Sequence, residues 1–154
     1  MGEPRWLDER EARVWRAWID VQRRVPAELE RLLVRDGGLS AAEFTLLVPL
    51  SESEHGVLRA RELGRAVGWE RSRLSHQIAR MERRGLVVRE ECAEDARGSM
   101  VRLTAAGRAA IEAAAPGHVE AVRQYVFDRL TPADLDVLSI VFGRVLAGLP
   151  AEET

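Results

Sequence analysis

Two short helical segments joined by a tight turn constrain the fold of this sequence most. Residues 59–67 predict a helix of about two turns that ends at Gly68, and residues 70–84 predict a second helix that ends at Gly85. Glycine readily adopts the left-handed conformation that closes a helix. The apolar positions of the second helix recur at steps of three and four and define one inward face, formed by Leu74, Ile78 and Met81. This pattern predicts a helix-turn-helix unit.

Two strand-like segments follow the second helix. Residues 86–91 and 100–103 have the composition of strands, and the polar residues 92–99 between them include Gly98. A β-hairpin directly after a helix-turn-helix unit is the arrangement of a winged helix-turn-helix. We therefore predict a mainly α fold with a small β wing, and residues 57–58 are a candidate for a further, very short strand.

The charge of this region differs from that of the whole chain. Residues 58–89 contain nine arginines and three glutamates, a net charge of +6, whereas the full chain of 154 residues has a formal net charge of -2. The rest of the chain therefore carries -8. Positive potential concentrated on one part of an acidic molecule is typical of a surface that binds nucleic acid.

The second helix also carries side chains suited to DNA on its outer side. The residues left outward are Ser72, Arg73, Ser75, His76, Gln77 and Arg80. Arginine can donate two hydrogen bonds to guanine and glutamine can pair with adenine, while serine and histidine suit phosphate or single base contacts. Arg83 and Arg84 are expected to be phosphate anchors or ion-pair partners. A solvated helix face is the alternative for each arginine alone, but the cluster favours DNA binding.

The loop between the two strands offers a second contact. Arg97 lies in a short turn beside Gly98, and such an arginine can enter a narrow minor groove, where the negative potential is strongest. Asp95 is expected to support the loop or to pair with Arg97. The neighbouring residues Glu90, Glu91 and Glu94 argue against a general phosphate clamp.

The two ends of the chain predict long amphipathic helices. The first carries an apolar stripe of Trp15, Trp18, Val21, Val25, Leu29 and Leu32, and the last carries a stripe of Leu135, Leu138, Phe142, Val145 and Leu149. These stripes are larger than one small domain needs, so we expect a homodimer. Residues 1–36 and 117–154 would form the dimerisation region, and residues 40–115 the DNA-binding region. The alternative is that both helices pack only on their own domain.

Local signals set several helix boundaries. Ser40 and Glu43 form a predicted capping box, so that a second helix starts near Ala41. Pro26 is expected to kink or restart the first helix, and residues 116–117 are expected to kink the fifth. Residues 131–132, a threonine followed by a proline, mark the start of the last helix.

These ordered segments resemble the MarR family of bacterial transcription regulators. The segments that carry the resemblance are residues 61–64 (Arg-Glu-Leu-Gly), 72–78 (Ser-Arg-Leu-Ser-His-Gln-Ile), 81–87 (Met-Glu-Arg-Arg-Gly-Leu-Val), 95–98 (Asp-Ala-Arg-Gly) and 103–107 (Leu-Thr-Ala-Ala-Gly). The resemblance implies a homodimer that reads a pseudo-palindromic, double-stranded DNA operator, with its two recognition helices in successive major grooves about 34 Å apart. Repression is expected, because a dimer on a promoter blocks polymerase.

Two residues depart from the family pattern. Gly64 occupies a position where the family usually has alanine, and Ala96 one where it often has a second arginine of the wing. The glycine is expected to weaken the third helix by up to about 1 kcal/mol. The alanine leaves Arg97 as the only cation of the wing.

The resemblance further implies a small aromatic effector. Regulators of this family often bind aromatic or phenolic compounds between the dimerisation helices and the DNA-binding lobe. The residues expected to line such a pocket and to orient an acid are Trp15, Trp18, Phe44, His118 and Arg123. The alternative is that the indoles belong to the core and that the histidine is an ordinary core or surface residue.

Other classes of function find less support in the sequence. Cys92 could make the regulator redox-responsive, but the surrounding carboxylates should raise its pKa and lower its reactivity. His55, His76, His118 and Cys92 lack the spacing of metal ligands, and we expect neither a metal nor a cofactor. Phosphate-binding glycine loops and common catalytic motifs are missing, so an enzyme is not expected. A winged helix that binds a protein partner remains an alternative.

Composition favours the cytoplasm. No apolar run approaches the roughly 20 residues that cross a bilayer, and the first residues are charged where a signal peptide would be apolar. The single cysteine cannot form an intramolecular disulfide. We therefore expect a globular cytoplasmic protein that does not interact with membranes.

Overall fold

The computed structural model describes residues 3–91 and 99–150, and these residues are mostly helical. The α-helices of the described residues are α1 (Glu9–Leu32), α2 (Ala41–Glu52), α3 (Ala60–Val67), α4 (Arg71–Arg83), α5 (Ala105–Tyr125) and α6 (Pro132–Ala147). The strands are β1 (Val57–Arg59), β2 (Val87–Glu91) and β3 (Ser99–Leu103). The predicted fold class, mainly α with a small β wing, is confirmed.

The three strands form one antiparallel sheet in the order β1-β3-β2. Val57 is opposite Arg102, and Val87 is opposite Leu103. The expected short strand at residues 57–58 is therefore present, and it makes β3 the central strand. Residues 92–98, between β2 and β3 in the sequence, lie outside the described residues, together with the predictions made for Cys92, Asp95, Ala96 and Arg97.

The core lies where α2, α3 and α4 meet the sheet. Its largest fully buried side chains are Leu39, Leu46, Leu47, Leu50, Leu63, Met81, Val87 and Val101. Leu74, Ile78 and Met81 are all at most 4% exposed, which confirms the predicted inward face of α4. Burial of these three side chains determines which side of α4 remains in solvent.

Prolines within helices do not divide them. The expected restart of the first helix at Pro26 is wrong, because α1 continues to Leu32 and then through a π-helical turn to Gly37. The fifth helix, α5, continues beyond Pro116 to Tyr125, as expected, and the kinks expected at Pro26 and at residues 116–117 stay predictions. Proline removes one backbone donor, and the hydrogen bonds of the neighbouring turns are sufficient to keep the helix continuous.

The start of α5 packs on residues 85–86, which connect the end of α4 to β2. The Thr104 hydroxyl donates to the Gly85 carbonyl at 2.6 Å, and the Thr104 backbone N–H donates to the Leu86 carbonyl at 3.1 Å. A Cβ atom on Gly107 would lie only 2.0 Å from the Leu86 carbonyl oxygen, so this contact requires glycine. The segment that follows the end of α4 is thus fixed to the first turn of α5.

A buried carboxylate fixes the same end of α4 to α2. Glu43, the third residue of α2, accepts hydrogen bonds from the Ser40 backbone N–H at 2.9 Å and from the Arg84 guanidinium at 2.6 Å. Arg84 also donates to the Gly38 carbonyl at 3.0 Å. Burial alone would raise the pKa of the Glu43 carboxyl, but the hydrogen bonds from Ser40 and Arg84 outweigh burial and hold that pKa below its ordinary value.

Among the residues that the structure describes, no helix combines the length and the apolar character that a membrane span requires.

Replacing Arg84 with alanine should lower the free energy of unfolding by about 1–3 kcal/mol, because Glu43 loses a charged donor at a buried position. The carboxyl pKa is depressed in the folded state, so this contribution is present at neutral pH and is lost as the pH falls through the folded pKa. Urea unfolding at neutral pH and at about pH 4 should therefore show a difference from wild type that shrinks in acid.

Arg83→Ala is the matched control. Arg83 is the exposed neighbour of Arg84 and has no ion-pair partner in the described part of the chain. Its replacement should change the free energy of unfolding by less than about 0.5 kcal/mol. Equal losses in the two variants would show that the contact between Arg84 and Glu43 does not stabilise the fold.

Candidate nucleic-acid-binding surface

The side of α4 opposite to its buried face is open to solvent. Ser72, Arg73, Ser75, His76 and Arg80 are exposed, and Gln77 is half-buried. Five of the six predicted contact residues line one open cleft of about 500 Å³, together with Ala42 and Trp69, and these five are Ser72, Arg73, His76, Gln77 and Arg80. The structure therefore brings a guanidinium pair, an amide, an imidazole and a hydroxyl onto one surface.

Ser75 has a different environment from the other five residues. Its backbone carbonyl accepts a hydrogen bond from the Arg89 guanidinium at 2.6 Å, and its hydroxyl lies 3.5 Å from the same group. Glu82 in turn accepts from the Arg89 backbone N–H at 2.9 Å. Strand β2 is thus tied to the flank of α4. Arg89 and Glu82 were not singled out as site residues, because hydrogen bonds to a backbone carbonyl leave no pattern in the sequence.

The arginines of this region divide into engaged and available cations. Arg84 pairs with Glu43, and Arg89 with Glu82. On α4, the exposed arginines without an ion-pair partner among the described residues are Arg71, Arg73, Arg80 and Arg83. Arg84 was expected to be either a phosphate anchor or an ion-pair partner, and the structure shows it as an ion-pair partner. The available guanidinium groups give the outer face of α4 its positive potential.

Trp69 is the feature that the sequence reading missed. The guanidinium carbon of Arg73 lies 4.0 Å from the centre of the Trp69 ring, well within the range of a cation–π contact. The spacing of four residues could have indicated this contact, but Trp69 lies before the helix, where helical periodicity does not apply.

A second crevice lies between α1, α2 and α5, with α3 at one side. Its volume is about 580 Å³, and its apolar walls include Leu29, Leu33, Phe44, Val48 and Val67. The Phe44 and His118 rings lie 4.3 Å apart within it. Its charged lining residues among those described are Glu30 and Glu52.

Three of the five residues expected in a ligand pocket lie elsewhere. Trp18 contacts Phe142 of α6, with 5.4 Å between the ring centres, and Arg123 pairs with Asp128 at 3.6 Å. Trp15 is 55% exposed on α1 and is not among the residues that line the crevice. Helical periodicity predicts that Trp15 and Trp18 lie on an apolar stripe of α1 that faces inward. In the structure, however, α1 contains no buried residue.

His118 is half-buried, and its ring nitrogen Nδ1 is fully covered by the protein. Its Nδ1 atom has no hydrogen-bond partner in the structure. Burial lowers the pKa of the His118 imidazole, so that the folded protein favours the neutral ring. A neutral imidazole against Phe44 can accept or donate one hydrogen bond within the crevice.

No cluster of three or more potential metal ligands occurs within residues 3–91 and 99–150. His55, His76 and His118 lie on three separate elements.

Comparison with known proteins identifies a matching family and several similar structures. Residues 37–98 match the MarR family. The chain is similar to Sco3205, a MarR family transcriptional regulator from Streptomyces coelicolor solved in complex with DNA, with 44% identity over 97% of this chain and 95% of that chain and a TM-score of 0.91. It is also similar to AbsC, another MarR family regulator of that organism (39% identity, 95% and 100% coverage, TM-score 0.88). A MarR family regulator from Silicibacter pomeroyi is 27% identical (97% and 100% coverage, TM-score 0.72).

Replacing His118 with phenylalanine should make stability less sensitive to acid. Because the folded state holds His118 neutral to a lower pH than the unfolded chain does, protonation of the unfolded chain destabilises the wild type below about pH 6.5. The free energy of unfolding should fall more in wild type than in His118→Phe between about pH 7.5 and about pH 5.5. The exposed His76→Phe change serves as control, and identical pH profiles for wild type and His118→Phe would contradict the expectation.

Proposed function

The chain belongs to the MarR family of transcriptional regulators, and on this premise we propose that two copies of it bind the two halves of a DNA operator and repress the promoter concerned. Members of this family are DNA-binding regulators with a winged helix fold rather than enzymes. The observation that carries the proposal is the outer face of α4, where Ser72, Arg73, His76, Gln77 and Arg80 line one cleft. These groups match the hydrogen-bonding edges of bases and the phosphates beside them.

The terminal helices support a homodimer. On α6, Val137, Ile140, Val145 and Leu146 are each 55–66% exposed, as is Leu149 just after this helix. Helix α1 exposes Val14, Trp15 and Val21 to a similar extent. Neither helix contains a buried residue. Leaving such continuous apolar surfaces in water is unfavourable, and a second copy would cover them. We assign residues 1–36 and 117–154 to dimerisation and residues 40–115 to DNA binding.

A dimer of this kind would place one recognition helix on each half-site. For both helices to enter the major groove on one side of the duplex, their centres must be about 34 Å apart. Bound at a promoter, the dimer would occupy the surface that polymerase needs, and it would act in the cytoplasm, where it meets DNA. Arg97, in the sequence between β2 and β3, would contribute a contact in the adjacent minor groove.

The crevice beside His118 is our candidate effector site. Its two charged lining residues, Glu30 and Glu52, have no ion-pair partner in the described part of the chain, and Arg123 lies outside the crevice. Carboxylates at an apolar crevice disfavour an anion and favour a cation. We therefore replace the expected aromatic acid with an aromatic compound that is neutral or positively charged, and propose that it releases the DNA.

Selection of DNA fragments by the purified protein tests the central proposal. The retained fragments should contain inverted half-sites about 10 base pairs apart, and light scattering should show complexes with two chains of 17.2 kDa each. Failure to retain any fragment, or complexes with one chain, would refute the operator-binding dimer.

Arg97→Ala tests the wing on the selected operator. The change should weaken binding and lower the slope of log affinity against log salt by about one unit, because one phosphate contact is lost. Arg31→Ala, at the end of α1, removes the same charge away from α4 and should leave the slope unchanged. A wild-type slope in Arg97→Ala would exclude a phosphate contact from the wing.

Calorimetry with phenethylamine and with hydrocinnamate tests the effector site, because these probes differ mainly in the sign of their charge. Phenethylamine should bind and reduce retardation of the operator, and Glu52→Gln should weaken this binding by about 3- to 10-fold. Glu54→Gln, an exposed carboxylate outside the crevice, is the control. Binding of hydrocinnamate alone would restore the aromatic acid, and binding of neither probe would remove these two compounds as mimics of the effector.

A further inference from the structure

We propose that Trp69 is a positioning residue for sequence readout, because its indole holds the Arg73 guanidinium in place as a preformed donor group for guanine. This inference rests on the proposed function and names one base contact within it. Trp69 lies in the turn between α3 and α4, and Arg73 lies in the first turn of α4. The Arg73 guanidinium carbon is 4.0 Å from the ring centre.

The stack is the contact that holds Arg73. Among the described residues, Arg73 forms no hydrogen bond or ion pair that would orient its side chain. An arginine stacked on a ring uses the flat face of the guanidinium, and its N–H edges remain available for a ligand. Readout of guanine needs those edges, because two parallel N–H donors pair with O6 and N7 of the base.

The indole is itself fixed by the fold. Trp69 is half-buried and packs against the hydrophobic core. Its backbone N–H donates to the Gly64 carbonyl at 3.0 Å, and this bond joins the turn to α3. The ring is therefore a rigid platform on which Arg73 rests.

Gly64 allows this close approach. A Cβ atom at position 64 would lie 3.3 Å from the Trp69 carbonyl oxygen and 3.2 Å from the Leu74 side chain, closer than most side-chain contacts. An alanine there would require Trp69 or Leu74 to move by a few tenths of an ångström. Gly64, where the family usually has alanine, is thus the residue that sets the distance from α3 to Trp69.

A preformed arginine has a physical advantage in binding. A free arginine side chain samples many rotamers, and ordering it on DNA costs conformational entropy that lowers affinity. The stack orders the side chain before binding. The neighbouring Ser72, His76 and Arg80 line the same cleft, so a guanine that meets Arg73 lies beside the other predicted contacts.

A double-mutant cycle with Trp69→Leu and Arg73→Ala tests the proposal on the selected operator and on operators with each base replaced. Trp69→Leu should weaken binding about 3- to 10-fold, and only at the guanine position where Arg73→Ala relaxes the preference. The double variant should bind within about twofold of Arg73→Ala, because Trp69 acts through Arg73. Trp69→Phe retains a ring face and should recover most of the discrimination.

Matched measurements separate positioning from general damage. Leu58→Ala, on β1, removes an apolar side chain that packs against the same core as Trp69 and lines neither the cleft nor the crevice. It should leave base discrimination unchanged. If the losses in affinity of the two single variants multiply in the double variant, Trp69 contacts DNA independently of Arg73. A uniform loss over all sequences, or discrimination that Trp69→Phe does not recover, would reduce Trp69 to a structural role. Each of these results overturns the proposal, whereas absence of DNA binding by wild type would refute the proposed function itself.

Discussion

Burial of Leu74, Ile78 and Met81 is the constraint on which the arrangement of the surface depends. A helix has one orientation that covers these three side chains, and that orientation leaves Ser72, Arg73, His76, Gln77 and Arg80 together on the outside. Apolar packing therefore does more than stabilise the domain. It selects which polar side chains of α4 a ligand can reach, although none of them contributes to the core.

The predictions that succeeded depend on neighbours in sequence. The capping box of Ser40 and Glu43, the glycine ends of α3 and α4, and the short first strand are encoded within a few residues and were all predictable. Contacts between distant residues were not. Glu43 and Arg84 are 41 positions apart, and the hydrogen bond from Arg89 to the Ser75 carbonyl involves a backbone atom that every residue has.

The ligand pocket shows why periodicity alone misplaced residues. The apolar stripe on α1 predicts that Trp15 and Trp18 line one crevice with Arg123. Instead, Trp18 contacts Phe142 of α6, and Arg123 pairs with Asp128. Periodicity identifies an apolar face without naming what covers it, and the choice between α5, α6 and a second copy depends on helix directions that emerge only in three dimensions. By contrast, Phe44 and His118 do meet.

The glycine contact between α5 and Leu86 gives α5 a mechanical role. The first turn of α5 rests against residues 85–86, which directly follow α4, so a tilt of α5 would press on the segment that ends α4. A helix of 21 residues is about 30 Å long, so a rotation of about 5° displaces its far end by about 3 Å. In the proposed dimer, small shifts where two chains meet would thereby change the pitch at which each arginine-bearing face approaches the duplex.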